Sequence, residues 1–135
     1  VLELTLTSGV TGVIAKAAEK AAPQEACGLL LGRGACISEV RETVNVADEP
    51  ERHFEIDPVA LIAAHKDARA GGPQIIGYFH SHPKGPALPS ATDSAMAAPD
   101  GRVWAIVGES GDIGWFISGS DGFTAISPRI DASSG

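Results

Sequence analysis

His80-Ser81-His82-Pro83 and, six residues further on, Ser90-Ala91-Thr92-Asp93 decide how the rest of this chain is read. The segment just before, Ile75-Ile76-Gly77-Tyr78-Phe79, is apolar and rich in strand-forming residues, which places His80 and His82 at a strand's end. Positions i and i+2 of a strand point to the same side. The two imidazoles therefore stand next to each other, and Asp93 arrives from the following loop as a third N/O ligand. Three such ligands with a fourth position open to water is the arrangement of a catalytic zinc ion.

Each piece has a plainer reading on its own. A lone His-x-His can be two exposed side chains on a strand. Ser90-Ala-Thr-Asp93 is a capping box, with Ser90 as N-cap and Asp93 at the third helical position. The intervening Pro83-Lys-Gly-Pro-Ala-Leu-Pro89, however, is a constrained loop that can carry Asp93 back over the imidazoles. Ser90 can cap the helix and still point its hydroxyl into the same site. Together the pieces favour a metal centre.

The remaining sequence is what holds this segment in place. With 135 residues the chain is most simply one domain, residues 1–130, with a small polar tail at 131–135 expected to fray. Hydrophobic residues make up 44% but aromatic residues only 5%, so the expected core is aliphatic. A net charge of −7 with ten Lys and Arg leaves no phosphate-binding stripe and argues against nucleic acid as the main partner. No apolar run approaches the roughly 20 residues that span a bilayer, which excludes a membrane helix. Val1-Leu2-Glu3-Leu4 lacks the features of a secretory signal, and a cytoplasmic location is expected. Cys27 and Cys36 are too few for a disulfide scaffold and read as small buried or half-buried residues. The residues leave the oligomeric state open.

In chain order, Leu2 to Thr7 alternates like a short strand, and Val10 to Ala22 has helical spacing ended by Pro23. Ala26 to Gly32 is a nearly continuous apolar run, the mark of a central strand buried on both faces. Ile37 to Val46 reads as a partly exposed strand and Asn45 to Arg52 as an acidic loop with room to move. His53 to Ile56 is a brief extended piece. Asp57-Pro58 opens a helix to about Ala70 that buries Leu61, Ile62, Ala64 and Ala68. Ser90 to Ala98 is a short helix in which Met96 packs against the sheet. Strands at 102–107, 113–118 and 123–127 form an antiparallel meander that carries Trp104 and Trp115 into the core. The sum is an α/β domain with one sheet.

A hydrolytic metal centre also needs a proton carrier. Glu25 precedes the apolar strand, where a carboxylate has no packing purpose; local sequence alone favours reading it as an ordinary exposed turn residue. The resemblance of the whole pattern decides between the two. Glu25-Ala-Cys-Gly28, His80-Ser-His82-Pro83 and Ser90-Ala-Thr-Asp93, with ten residues between His82 and Asp93, resemble the signature of the JAMM, or MPN-plus, zinc metallopeptidases, in their minimal bacterial form. Asn45, Phe54-Glu-Ile-Asp-Pro58 and Gly77 agree with the same family, so the likeness runs from about Leu2 to Ile126.

The resemblance implies an MPN fold, a curved mixed sheet flanked by helices and related to the cytidine deaminases. It implies one zinc ion per chain, held by His80, His82 and Asp93. Glu25 would deprotonate the attacking water and pass the proton to the departing nitrogen, and Ser90 would donate to the oxyanion. Deamination is not expected, because the His-x-Glu and Pro-Cys-x-x-Cys pair of deaminases is absent. The implied substrate is the peptide or isopeptide bond after the C-terminal Gly-Gly tail of a ubiquitin-like protein. The compact chain lacks the family's ubiquitin-gripping insertions, and the bacterial branch acts on sulfur carriers of ubiquitin fold. Three rival readings are a zinc enzyme acting on small amides, a non-catalytic MPN binding module, and a cysteine hydrolase using Cys27.

Overall fold

A computed structural model describes residues 3–131. The elements are β1 (Thr5–Thr7), α1 (Val10–Ala21), β2 (Cys27–Arg33), β3 (Cys36–Thr43), α2 (Pro58–Arg69), β4 (Gln74–Ser81), α3 (Ala91–Met96), β5 (Val103–Val107), β6 (Ile113–Gly119), β7 (Gly122–Ala125) and β8 (Arg129–Asp131). They form one eight-stranded sheet in the order β7-β6-β5-β4-β2-β3-β1-β8. β4 runs parallel to β5, and β1 runs parallel to both β3 and β8. The meander β5-β6-β7 is antiparallel, as its turns predict.

β2 lies at the centre between β3 and β4, and every residue from Cys27 to Gly32 is buried. Its apolar run is continuous because both faces are covered. Leu30 faces Val10, Ile14 and Ala17 of α1, while Leu29 and Leu31 face Ala64 of α2. Close spacing between β4 and β5 explains Gly77, whose position leaves no room for a Cβ against the Val103 backbone.

α2 is capped as its sequence predicts, with the Asp57 carboxylate accepting from Val59 N–H at 3.0 Å and Pro58 at its start. Its buried stripe is narrower than expected. Ala64 is buried with Leu61 and Ala68 half-buried, but Ile62 is exposed, one helical step of about 100° away from Leu61. Met96 is likewise 47% exposed rather than packed flat on the sheet, because α3 ends there. Both tryptophans are buried. β8 was not apparent in the sequence. Its last residue, Asp131, pairs with Thr7 although it begins the expected tail, while 132–135 and Leu2 lie outside the described residues. No helix among the described residues is long and apolar enough to cross a membrane.

Candidate active site

Both histidines rise from the end of β4, next to the centre of the sheet. His80 is the penultimate residue of the strand, opposite Cys27 of β2 and Ile106 of β5. His82 lies one residue past it, with its N–H donating to the Val107 carbonyl at 2.7 Å, so the strand geometry persists. The two rings therefore share a face, as the period of two requires. Phe54 stacks on the His80 ring at 4.2 Å between centroids, and Trp104 stands perpendicular beside the pair, 5.6 Å from His80 and 5.7 Å from Phe54.

α3 supplies the carboxylate. Ser90 is its N-cap: the Ser90 hydroxyl accepts from Asp93 N–H at 3.0 Å, and Ser90 N–H donates to Asp93 Oδ2 at 2.9 Å. The capping box thus fixes Asp93, and its carboxylate still reaches the imidazoles. His80 Nε2 stands 3.1 Å from His82 Nε2, and each stands 3.1 Å from an Asp93 oxygen. Donors held 2.0–2.1 Å from a tetrahedral zinc ion lie roughly 3.3 Å apart, so this triangle has the size of one face of a zinc shell.

The proton count makes the same point. His82 Nδ1 lies 2.9 Å from the Pro86 carbonyl, which can only accept, so Nδ1 carries the proton. In the neutral ring Nε2 is then a bare lone pair, facing both a carboxylate and a second imidazole nitrogen. His80 Nδ1 is buried without a hydrogen-bond partner. A proton on His80 Nε2, or a metal ion among the three groups, accounts for their close approach. The donor set fits a divalent cation.

The electrostatics follow from burial and from these contacts. Burial lowers the His80 pKa, against the opposing pull of Asp93, and favours the neutral ligand form. Burial also presses on His82, but its bonds to Asp93 and Pro86 and the nearby acids outweigh that and raise it. Burial acts to raise Asp93, yet hydrogen bonds to His80 and His82 hold it well below the usual carboxylate range.

Glu25 closes the site from the segment before β2 and is only 6% exposed, so it is not a surface turn residue. A carboxylate oxygen of Glu25 and the nitrogens of His80 and His82 all lie within 4.8 Å of one another, close enough to bind a metal ion. Burial pushes its pKa up to about 7, against the lowering effect of His82 and with a smaller rise from Asp93. Glu25, His82 and Ser90 line a groove of about 440 Å³, with Arg52 and Lys84 on its rim. The structure therefore brings all five sequence-predicted residues together, Glu25, His82 and Ser90 lining the groove and His80 and Asp93 buried beside it.

Cys27 does not join them. It is fully buried, burial pushes its thiol pKa up, and its sulfur lies 3.5 Å from the Thr43 hydroxyl. A buried neutral thiol is no nucleophile, which removes the cysteine-hydrolase reading.

Two polar residues have positions the sequence did not reveal. Ser81, between the histidines, accepts from Ala26 N–H at 2.8 Å and so fastens the Glu25 segment to β4. Asn45 binds the Glu25 carbonyl from the loop. Each contact joins residues far apart in sequence, and no local pattern marks it.

Fold and cluster together place a donor set that fits a metal ion at the end of the central strands. The chain belongs to the family of prokaryotic homologs of the JAB domain, whose pattern matches residues 7–118 and so includes every residue of the cluster. It is similar to a desampylase from Haloferax volcanii, with 33% identity over 91 residues that cover 66% of each protein. It is also similar to a probable TtuB-protein conjugate cleaving protease from Thermus thermophilus, with 42% identity over 72 residues that span 53% of this chain and 48% of the relative. The match therefore spans about two thirds of the first relative and about half of the second. Among solved structures, a protein from Desulfitobacterium hafniense superposes with a TM-score of 0.83 at 32% identity, covering 96% of this chain and 93% of that one. A JAB1/MPN domain protein from Archaeoglobus fulgidus superposes at 0.61 and 19% identity over 96% of this chain and 98% of its own, a likeness of fold. The curved mixed sheet is thus a JAB1/MPN fold, as the sequence resemblance implies.

Proposed function

We propose that this protein is a zinc-dependent peptidase or isopeptidase. Its substrate is the bond that follows the C-terminal Gly-Gly tail of a ubiquitin-like protein of the sulfur-carrier type. The observation that carries this reading is the 3.1 Å triangle of His80, His82 and Asp93 with the buried Glu25 carboxylate beside it. The conjugate-cleaving name of the Thermus relative supports a protein-conjugate substrate.

In this reading His80, His82 and Asp93 hold one zinc ion, which supplies Lewis acidity and lowers the pKa of water toward about 7. Glu25 takes the proton of the attacking water and gives it to the departing nitrogen. Its carboxylate lies within 4.8 Å of the nitrogens of His80 and His82, which puts it within reach of a water bound among them, and its burial shields it from exchange with bulk water. The Ser90 hydroxyl accepts the Asp93 N–H through its oxygen, so its own proton stays available for the oxyanion that forms at the scissile carbonyl. A Gly-Gly tail suits a buried Glu25, because it brings no side chains between the scissile carbonyl and that carboxylate.

The test is to incubate the protein, with and without a zinc chelator, with ubiquitin-fold proteins extended past Gly-Gly, and to weigh the products. Chelator-sensitive cleavage directly after Gly-Gly supports the proposal. Cleavage of short peptides with none of the protein conjugate would instead establish a small-amide hydrolase, and zinc binding without cleavage a binding module.

A further inference from the structure

The loop between β3 and α2 is acidic and rich in turn residues, yet one side chain laces it together. Asn45 makes five hydrogen bonds. Its Nδ2 donates to the carbonyls of Glu25 at 3.0 Å, Pro50 at 3.3 Å and His53 at 2.9 Å. Its Oδ1 accepts from Ala47 N–H at 3.0 Å and Glu55 N–H at 3.1 Å. The amide group has two N–H bonds and two lone pairs, so its capacity is fully used, with one proton shared between two carbonyls.

Two of those bonds concern the proposed base. Glu25 precedes the first ladder pair of β2, and its backbone therefore needs partners outside the sheet. Its N–H donates to the Pro50 carbonyl at 2.7 Å, and its own carbonyl accepts from Asn45. The Pro50 carbonyl in turn accepts from Asn45. The result is a closed ring of three groups, with both polar atoms of the Glu25 peptide held by the loop. On the other side Ser81 holds Ala26. The Glu25 side chain makes no hydrogen bond among the described residues, so its direction toward the imidazoles depends on its backbone.

We infer that Asn45 is a positioning residue, which aims the Glu25 carboxylate by fixing its peptide group and the loop over it. This rests on Glu25 acting as the base in the proposed hydrolysis. Asn45 touches neither the ligand triangle nor the groove, so its role is separable from metal binding. It also ties the loop that carries Arg52 on the groove rim to the floor of the site.

Asn45→Asp keeps the acceptor for Ala47 and Glu55 but removes every donor to Glu25, Pro50 and His53. The test measures kcat, KM and zinc content of this variant on a Gly-Gly-extended ubiquitin-fold substrate, with Glu25→Gln alongside. A tenfold or larger fall in kcat is expected, with KM within about twofold and zinc still at one per chain. An unchanged kcat, or a fall that tracks lost zinc, would overturn the assignment. If Glu25→Gln keeps wild-type turnover, the functional reading fails instead, whatever Asn45 does. Should Asn45→Asp not fold, nitrogen-15 NMR of the metal-free wild type decides. The Asn45 side-chain amide and the Glu25 backbone amide are expected to exchange far more slowly than exposed amides, and exchange at the rate of a solvated amide would contradict the ring.

Discussion

Replacing Ser90 with alanine separates two roles that one hydroxyl is proposed to combine. Alanine keeps the Ser90 N–H bond to Asp93 Oδ2 and loses the one the hydroxyl accepts from Asp93 N–H. Loss of a serine N-cap costs about 1 kcal/mol. For a domain of this size that lowers Tm by about 4 °C. Against a total stability of about 5–15 kcal/mol, such a loss leaves well over 99% of the molecules folded. Stability alone therefore cannot reduce turnover measurably. The loss of an oxyanion donor, by contrast, lowers kcat about 100- to 1,000-fold. The assay combines thermal melting, zinc content and steady-state hydrolysis for Ser90→Ala and Ser90→Gly. Glycine caps almost as well as serine, within a few tenths of a kcal/mol. Both variants should lose the same large factor in kcat, and only alanine should lose the full shift in Tm. A fall in kcat of less than tenfold, or one that follows zinc loss caused by a loosened Asp93, would refute the reasoning.

Two further outcomes follow from Glu25. Glu25→Gln should keep fold and zinc but lose nearly all hydrolysis, read as product formed per zinc; wild-type turnover would remove Glu25 from the mechanism. The second concerns the metal-free protein, where Glu25 titrates near 7 when folded against its ordinary 4.5. The folded state then binds more protons between those values, so stability falls as pH rises from about 4.5 to 7. Asp93 acts in the opposite sense: its pKa is lowered from 3.8, so its contribution is present above that value and lost as the solution becomes more acid. Tm of the chelator-stripped wild type should decline across pH 4.5–7 more steeply than that of Glu25→Gln, and parallel curves would show that Glu25 does not titrate there.

Much of the site was legible because its residues obey local rules. His80 and His82 share a face through strand period alone, and Asp93 is fixed by a capping box that is written in four consecutive residues. The apolar run of β2 announced a central strand, and Asp57-Pro58 announced the start of α2. What escaped depends on contacts between distant residues. Asn45, which the family resemblance picks out without saying what it binds, reaches Glu25 across 20 positions, and Ser81 reaches Ala26 across 55. β8 is three residues long, too short for any period to show, and exists through parallel pairing with β1. Helical spacing located α2, but whether Ile62 falls inside or outside its buried stripe depends on how the helix is rotated on the sheet, which spacing does not fix.

The most direct measurement is an anomalous difference map from crystals of the zinc-loaded protein, recorded on both sides of the zinc edge. The account predicts one peak per chain, bonded to His80 Nε2, His82 Nε2 and an Asp93 oxygen, with the Glu25 carboxylate adjacent. No peak between these groups, or a peak bonded to other residues while Asp93 serves only as a helix cap, would contradict it.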